Sequence, residues 1–159
     1  MIRELQKADI NKVTDIWLDT NVTAHSFISS QYWQNNFELV KELLLQATVY
    51  VYEKNQEIQG FIGLNDEFIE GIFVSNEMRS YGIGKALLNY VKNKRSKLFL
   101  NVYQKNIRAI AFYQREGFKI QNSGFDEATK EKEYVMAWLK NRIRNLSMIF
   151  RILTKIKWC

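Results

Sequence analysis

Hydrophobic positions along this chain change spacing several times, and the order of those changes predicts its elements. Residues 2–5 read as a short strand. Ile10, Val13, Ile16 and Trp17 then share one helical face, with Asp9 placed to cap that helix. A second helix is predicted over 32–45. Three runs rich in Val, Ile, Phe and Tyr follow, over 47–52, 58–64 and 68–74. Polar turns such as Glu53-Lys54-Asn55-Gln56 separate them, which predicts an antiparallel meander.

Helical spacing returns with Ile83, Leu87, Tyr90 and Val91 and ends in the basic run 92–97. A strand is expected over 98–102. Asn106 then precedes Ile107, Ala109, Ile110, Ala111, Phe112 and Tyr113, a helix expected to stop at Gly117. Short strands over 118–120 and 134–139 close the sheet. The predicted order is strand, two helices, three strands, helix, strand, helix, two strands. Such mixing predicts an α+β domain over 1–140, with a mixed central sheet of about six to seven strands flanked by about four helices.

Composition narrows the setting. A chain of 159 residues, 47% apolar and 25% charged, has material for one substantial core. Its single cysteine, Cys159, is the last residue, so no disulfide framework or zinc-binding cysteine cluster is expected, and the cytoplasm is the expected home. No apolar run reaches the ~20 residues of a membrane span, and the amino terminus lacks a signal-peptide pattern. No metal is expected.

The net charge of +6 suggests nucleic acid until it is located. Residues 141–159 hold Arg142, Arg144, Arg151, Lys155 and Lys157 and no acid, so the body is nearly neutral and no specific nucleic-acid partner is expected. Ile143, Leu146, Ile149, Leu153 and Ile156 recur at helical spacing in the same segment. It reads as a basic amphipathic extension that packs on its own domain or joins a homodimer; binding to a membrane surface is the lesser expectation.

Candidate chemistry begins after the third run. Arg79, Ser80, Tyr81, Gly82, Ile83, Gly84 and Lys85 join a predicted strand to a predicted helix. Glycine lets the backbone turn tightly and approach a ligand, and the first turn of a helix offers unpaired N–H groups to an anion. Two glycines fall short of the three in the dinucleotide fingerprint, and Lys85 lacks the Ser or Thr of a P-loop. The pattern alone also fits a tight structural turn.

A second motif lies downstream: Asn106, Ala109, Phe112, Tyr113, Gly117 and Phe118, in the spacing N-x-x-A-x-x-F-Y-x-x-x-G-F. Together with Ile72-Phe73-Val74 and the Arg79 to Gly84 stretch, it resembles the GNAT superfamily of acyl-CoA-dependent N-acyltransferases. The resemblance covers the chain up to about 139 and implies acetyl-CoA as cosubstrate. It implies that backbone N–H groups of the glycine loop hold the CoA pyrophosphate, with Arg79 adding charge. It implies that the backbone near Ile72, Phe73 and Val74 holds the pantetheine arm like an added strand. Asn106 and Tyr113 take the positions that face CoA and its sulfur in that family.

A tyrosine suits a departing thiolate, since a phenol pKa of about 10 exceeds the thiol's ~8.5 and keeps the proton available. Tyr113 is therefore the expected catalytic acid; its structural alternative is a core aromatic, and that of Asn106 is a helix cap. The acceptor must attack as a neutral amine, and deprotonating a lysine-like amine at pH 7 costs about 4.6 kcal/mol without help. Glu70 on the third run is the expected base, and its alternative is a solvated strand residue. Glu67, Asp66 and His25 are weaker candidates.

His25, Phe27 and Trp33 lie between the first two predicted helices, where the family commonly forms its acceptor pocket. The alternative reading of His25, and the favoured one, is a hydrogen-bonding loop residue. The stretch Thr23-Ala24-His25-Ser26-Phe27 also looks like a bacterial subgroup of small N-acetyltransferases, some regarded as protein-lysine acetylases. The expected reaction is direct acetyl transfer to a primary amine, on a protein lysine or a small molecule, with no covalent intermediate. The rival from another class is a noncatalytic acyl-CoA-binding module that regulates a partner through its tail.

Overall fold

The computed structural model describes residues 1–140, and the basic extension over 141–159 lies outside the described residues. The alternating runs form strands as expected. β1 (Ile2–Glu4) is followed by α1 (Ile10–Ala24), α2 (Ser30–Asn35) and α3 (Phe37–Gln46). The meander is β2 (Thr48–Lys54), β3 (Glu57–Asn65) and β4 (Phe68–Val74). Then come α4 (Ile83–Lys92), β5 (Lys97–Tyr103), α5 (Ile107–Arg115), β6 (Lys119–Asp126) and β7 (Glu131–Leu139).

All seven strands form one sheet in the order β1-β2-β3-β4-β5-β7-β6. Its pairs are antiparallel except β4 with β5, which run parallel. Successive side chains of a strand point to opposite faces, and both faces are covered. Val49, Val51, Phe61 and Phe73 join α1, α2 and α3 in one core through Val13, Trp17, Trp33 and Leu44. Tyr50, Ile62, Leu64 and Leu100 join α4 and α5 in the other through Leu87, Leu88, Val91 and Tyr113. Burial on both faces explains why the central runs read as almost continuously apolar.

Three expectations need correction. The helix expected over 32–45 is two helices, because Asn36 interrupts it. Its Nδ2 donates to the Tyr32 carbonyl at 2.7 Å, the acceptor that an unbroken helix reserves for the Asn36 backbone, whose N–H turns to Trp33 instead. Asp9 does not cap α1 through its side chain. Its carboxylate takes Arg3 at 2.7 and 3.1 Å and the Gln6 N–H at 2.7 Å, and these bonds, the Arg3 pair first, hold its pKa below the usual carboxylate value.

The last hairpin is also longer than its apolar pattern. β6 continues through the exposed Asn122, Ser123 and Gly124, which pair with Val135, Tyr134 and Glu133 of β7. At its tip, Asp126 accepts the Ala128 N–H at 3.0 Å through Oδ1, and its carbonyl accepts Lys130 N–H at 2.8 Å. Cross-strand pairing, which a window along the chain does not see, makes this strand.

Candidate active site

The site is built from a fault in the sheet. β3 and β4 stay paired to the end, as far as Gly60 opposite Val74. β4 and β5 pair only through Phe68 with Phe99 and Ile69 with Leu100. The cause lies at Glu70. Gly63 faces Gly71 and Leu64 faces Ile69, so Glu70 is the extra residue of a β-bulge. A bulge bends its strand and ends local pairing, and here the pairing with β5 stops one residue before it. Ile72, Phe73 and Val74 therefore have a ladder partner on β3 and none on β5.

Two helices begin at that opening. Parallel neighbouring strands place both C-terminal ends together, so α4 after β4 and α5 after β5 start on the same side of the sheet. α4 starts at Gly82 with φ 82°, and no side chain caps it. Ala86 donates back to the Gly82 carbonyl, whereas the N–H groups of Ile83, Gly84 and Lys85 precede the first intrahelical bond. An added Cβ at Gly82 would meet nothing within 4 Å, so its left-handed backbone is what requires glycine. At Gly84 the nearest atom would be 3.7 Å away, in ordinary contact, so the chain's own packing does not require glycine there.

Cations flank this uncapped end. Arg108 donates to Ser80 Oγ at 3.2 Å, and Ser80 itself holds a positive φ of 68°. Arg79 is half-buried, and burial first and Arg108 second lower its pKa. Among the described residues, neither guanidinium has a salt-bridging carboxylate. Tyr81 and Lys85 are exposed beside them. A helix N-terminus with two such guanidiniums is a site for an anion of several charges.

α5 presents the second motif. Asn106 is its N-cap, with Oδ1 accepting the Ala109 N–H at 3.2 Å. Tyr113 is buried, with ring centroids 5.2 Å from Phe112 and 5.5 Å from Phe118. Glu70 is only 4% exposed, which replaces the solvated strand position that sequence left open.

On the opposite face, His25, Phe27 and Trp33 do come together. The His25 ring lies 5.6 Å from Phe27 and 5.5 Å from Trp33, and 5.0 Å from Tyr103 of β5. Trp33 is 1% exposed and packs edge-on against Trp17, whereas Phe27 is half-buried with the Lys105 ammonium 5.4 Å over its ring. His25 is buried, its Nδ1 3.0 Å from Asn21 Oδ1 and its Nε2 3.1 Å from Asn106 Nδ2. Desolvation pushes its pKa down to about 4, so the imidazole is neutral at pH 7.

Sequence reading missed four residues that this geometry recruits. Tyr103 donates to Asp126 Oδ2 at 2.7 Å, a buried pair joining β5 to the tip of β6. Asn21 and Arg108 gain meaning only through their distant partners His25 and Ser80. Asp126 lies in the stretch of β6 that the apolar pattern left out. Among the described residues there is no cluster of His, Cys, Asp or Glu suited to a metal, and no helix long and apolar enough to cross a membrane.

A sheet that parts between two parallel strands, with an uncapped helix N-terminus at the gap, is suited to an extended ligand that carries phosphates. Comparison with known proteins gives the family. Residues 46–120 match the family model described as an acetyltransferase (GNAT) domain. The chain is 35% identical over 140 residues to the peptidyl-lysine N-acetyltransferase YiaC of Escherichia coli, covering 87% of this chain and 96% of that one. It is 32% identical over 120 residues to the peptidyl-lysine N-acetyltransferase YjaB of Salmonella typhimurium, covering 75% and 83%. In fold it is similar to apo YjaB from Escherichia coli, with a TM-score of 0.78 and 23% identity over 88% of this chain and 97% of that one. The chain belongs to the GNAT acetyltransferase family, and it is an N-acetyltransferase that takes an acyl-CoA cosubstrate and an amine acceptor.

Proposed function

We propose that the protein transfers the acetyl group of acetyl-CoA directly to lysine side chains of proteins or peptides. The observation that carries this reading is the convergence of the open β4 edge and the uncapped α4 N-terminus at one end of the sheet. The names of the YiaC and YjaB relatives support the acceptor class. The donor is supported by likeness to a proposed streptothricin acetyltransferase of Bacillus anthracis in complex with acetyl coenzyme A. That match has a TM-score of 0.53 and 24% identity over 58% of this chain and 62% of that one.

In this reading, the N–H groups of Ile83, Gly84 and Lys85 hold the pyrophosphate, Arg79 adds charge, and Ser80, Tyr81 and Gly82 shape the turn. The β4 backbone at Ile72, Phe73 and Val74 pairs with the pantetheine arm in the place that β5 leaves, a form of strand addition. The bound thioester supplies an activated acetyl group. Glu70, beside that opening, accepts the acceptor amine's proton directly or through one water. As the N–C bond forms and the C–S bond breaks, Tyr113 gives its phenol proton to the sulfur, and the second proton, lost from the nitrogen as the amide forms, returns through solvent to the phenolate.

Of the substrate-side trio, we assign contact with the acceptor to Phe27, the half-buried member. Trp33 and His25 support it from within the core. Both His25 ring nitrogens are engaged, which disfavours it as the base. Cytoplasmic residence and a homodimer formed through 141–159 belong to the same proposal, and sedimentation of the chain with and without that segment tests the dimer. Mass spectrometry of peptides incubated with acetyl-CoA and the full-length protein tests the acceptor. Acetylation on lysine Nζ supports the reading; acetylation confined to peptide amino termini or small amines overturns the acceptor class.

A further inference from the structure

A chain of side-chain hydrogen bonds joins α1 to α5, and a backbone group anchors each end. The Ala109 N–H, in the first turn of α5, can only donate, so the Asn106 atom 3.2 Å away is Oδ1. Asn106 Nδ2 therefore faces His25 Nε2 at 3.1 Å, and an amide nitrogen can only donate. Nε2 is thus the acceptor, and the ring hydrogen sits on Nδ1. That hydrogen meets Asn21 Oδ1 at 3.0 Å, and Asn21 Nδ2 donates to the Trp17 carbonyl at 3.0 Å. No link can reverse without opposing two acceptors or two donors.

We propose that His25 is a positioning residue: its neutral Nδ1–H tautomer locks Asn106 in place and so ties the α1–α2 turn on the acceptor side to the helix that carries Tyr113. The surroundings favour rigidity. His25 is 5% exposed, packed by Phe27, Trp33 and Tyr103, and its own backbone N–H closes α1 on the Asn21 carbonyl at 2.9 Å. The lock spans 81 residues of sequence and both faces of the sheet. Acyl transfer between two bound reactants depends on their separation, and a shift of about 1 Å costs roughly 100-fold in rate. The proposal rests on the acetyltransferase reading for its consequence and on the hydrogen bonds alone for its geometry.

The experiment has a spectroscopic arm and a kinetic arm. His25 is the only histidine in the sequence, so the 15N imidazole signals of the untagged full-length protein are its alone. At pH 7 without substrate, the expected spectrum is a neutral ring with Nδ1 protonated and Nε2 bare. In Asn106→Asp the cap on Ala109 is kept but an acceptor now faces Nε2, so both ring nitrogens become protonated. An Nε2–H ring in the unsubstituted protein, or an unchanged ring in Asn106→Asp, overturns the proposal.

In the kinetic arm, His25→Leu lowers kcat about tenfold or more at saturating acetyl-CoA, and His25→Gln, which can still accept from Asn106, recovers part of it. Equal losses in both variants, in proportion to the folded fraction lost, leave His25 a packing residue only and overturn the positioning role. A protein that shows the expected tautomer but acetylates no amine refutes the acetyltransferase reading and leaves the lock standing.

Discussion

Ile69 and Leu100 are the last residues that β4 and β5 pair, and Glu70 follows as a bulge that turns β4 away. One inserted residue thus makes the opening and places a carboxylate at its edge. If that carboxylate receives the acceptor's proton, Glu70→Gln preserves shape and lowers kcat/KM about 100-fold near pH 7. The deficit shrinks as pH rises, because more acceptor amine is already neutral and needs no base. A pH–rate profile of both proteins checks this; a ratio that stays constant across pH assigns Glu70 to structure.

Gly84 separates the needs of the fold from those of the ligand. Its nearest neighbour to an added Cβ is at 3.7 Å, so Gly84→Ala leaves the thermal midpoint unchanged or raises it slightly, by up to about 0.5 kcal/mol of helix propensity. Under the proposed pyrophosphate site, a methyl group above the α4 N-terminus intrudes on the bound anion, and the expected KM for acetyl-CoA rises about tenfold. Gly82→Ala differs: at φ 82° it costs about 1 kcal/mol of stability even with open space around it. Calorimetry paired with donor titration distinguishes the two.

Tyr113→Phe removes one hydroxyl from a buried ring held between Phe112 and Phe118. The expected result is a kcat about 10- to 100-fold lower, with acetyl-CoA affinity little changed. Turnover equal to that of the unsubstituted protein at saturating substrates would remove the acid role.

His25 makes stability depend on pH. Its folded pKa of about 4 lies below the unfolded value near 6.5, so the unfolded chain binds the proton more readily. Its contribution is complete above about pH 6.5 and is lost as pH falls toward 4, a change on the order of 3 kcal/mol. His25→Gln therefore flattens the stability profile between pH 7 and 4, as read by denaturant midpoints. An unaltered slope would show that other groups set it.

Much of this architecture was legible because both sheet faces are buried. Val49, Val51, Phe61 and Ile62 announce strands by their apolar density, and Ile83, Leu87 and Val91 announce a helix by spacing. The glycine loop and the α5 motif were legible too, since their requirements are local: a left-handed turn at Gly82 and a cap at Asn106. What was not legible depends on partners far apart in sequence. Asn36 gave no warning of the helix break, since its effect comes from a side-chain bond. The bulge at Glu70 exists only in the register with β3, and the roles of Asn21, Tyr103, Asp126 and Arg108 exist only through their contacts.

In the proposed function, the opening between β4 and β5 holds acetyl-CoA and delivers its acetyl group to an amine. Steady-state release of CoA thiol by the full-length protein, with acetyl-CoA and a panel of lysine peptides and small amines, tests it most directly. The expected result is saturable thiol release that requires an amine, with one acetylated product for each thiol. A protein that binds acetyl-CoA yet releases no thiol above uncatalysed hydrolysis across the whole panel would contradict it.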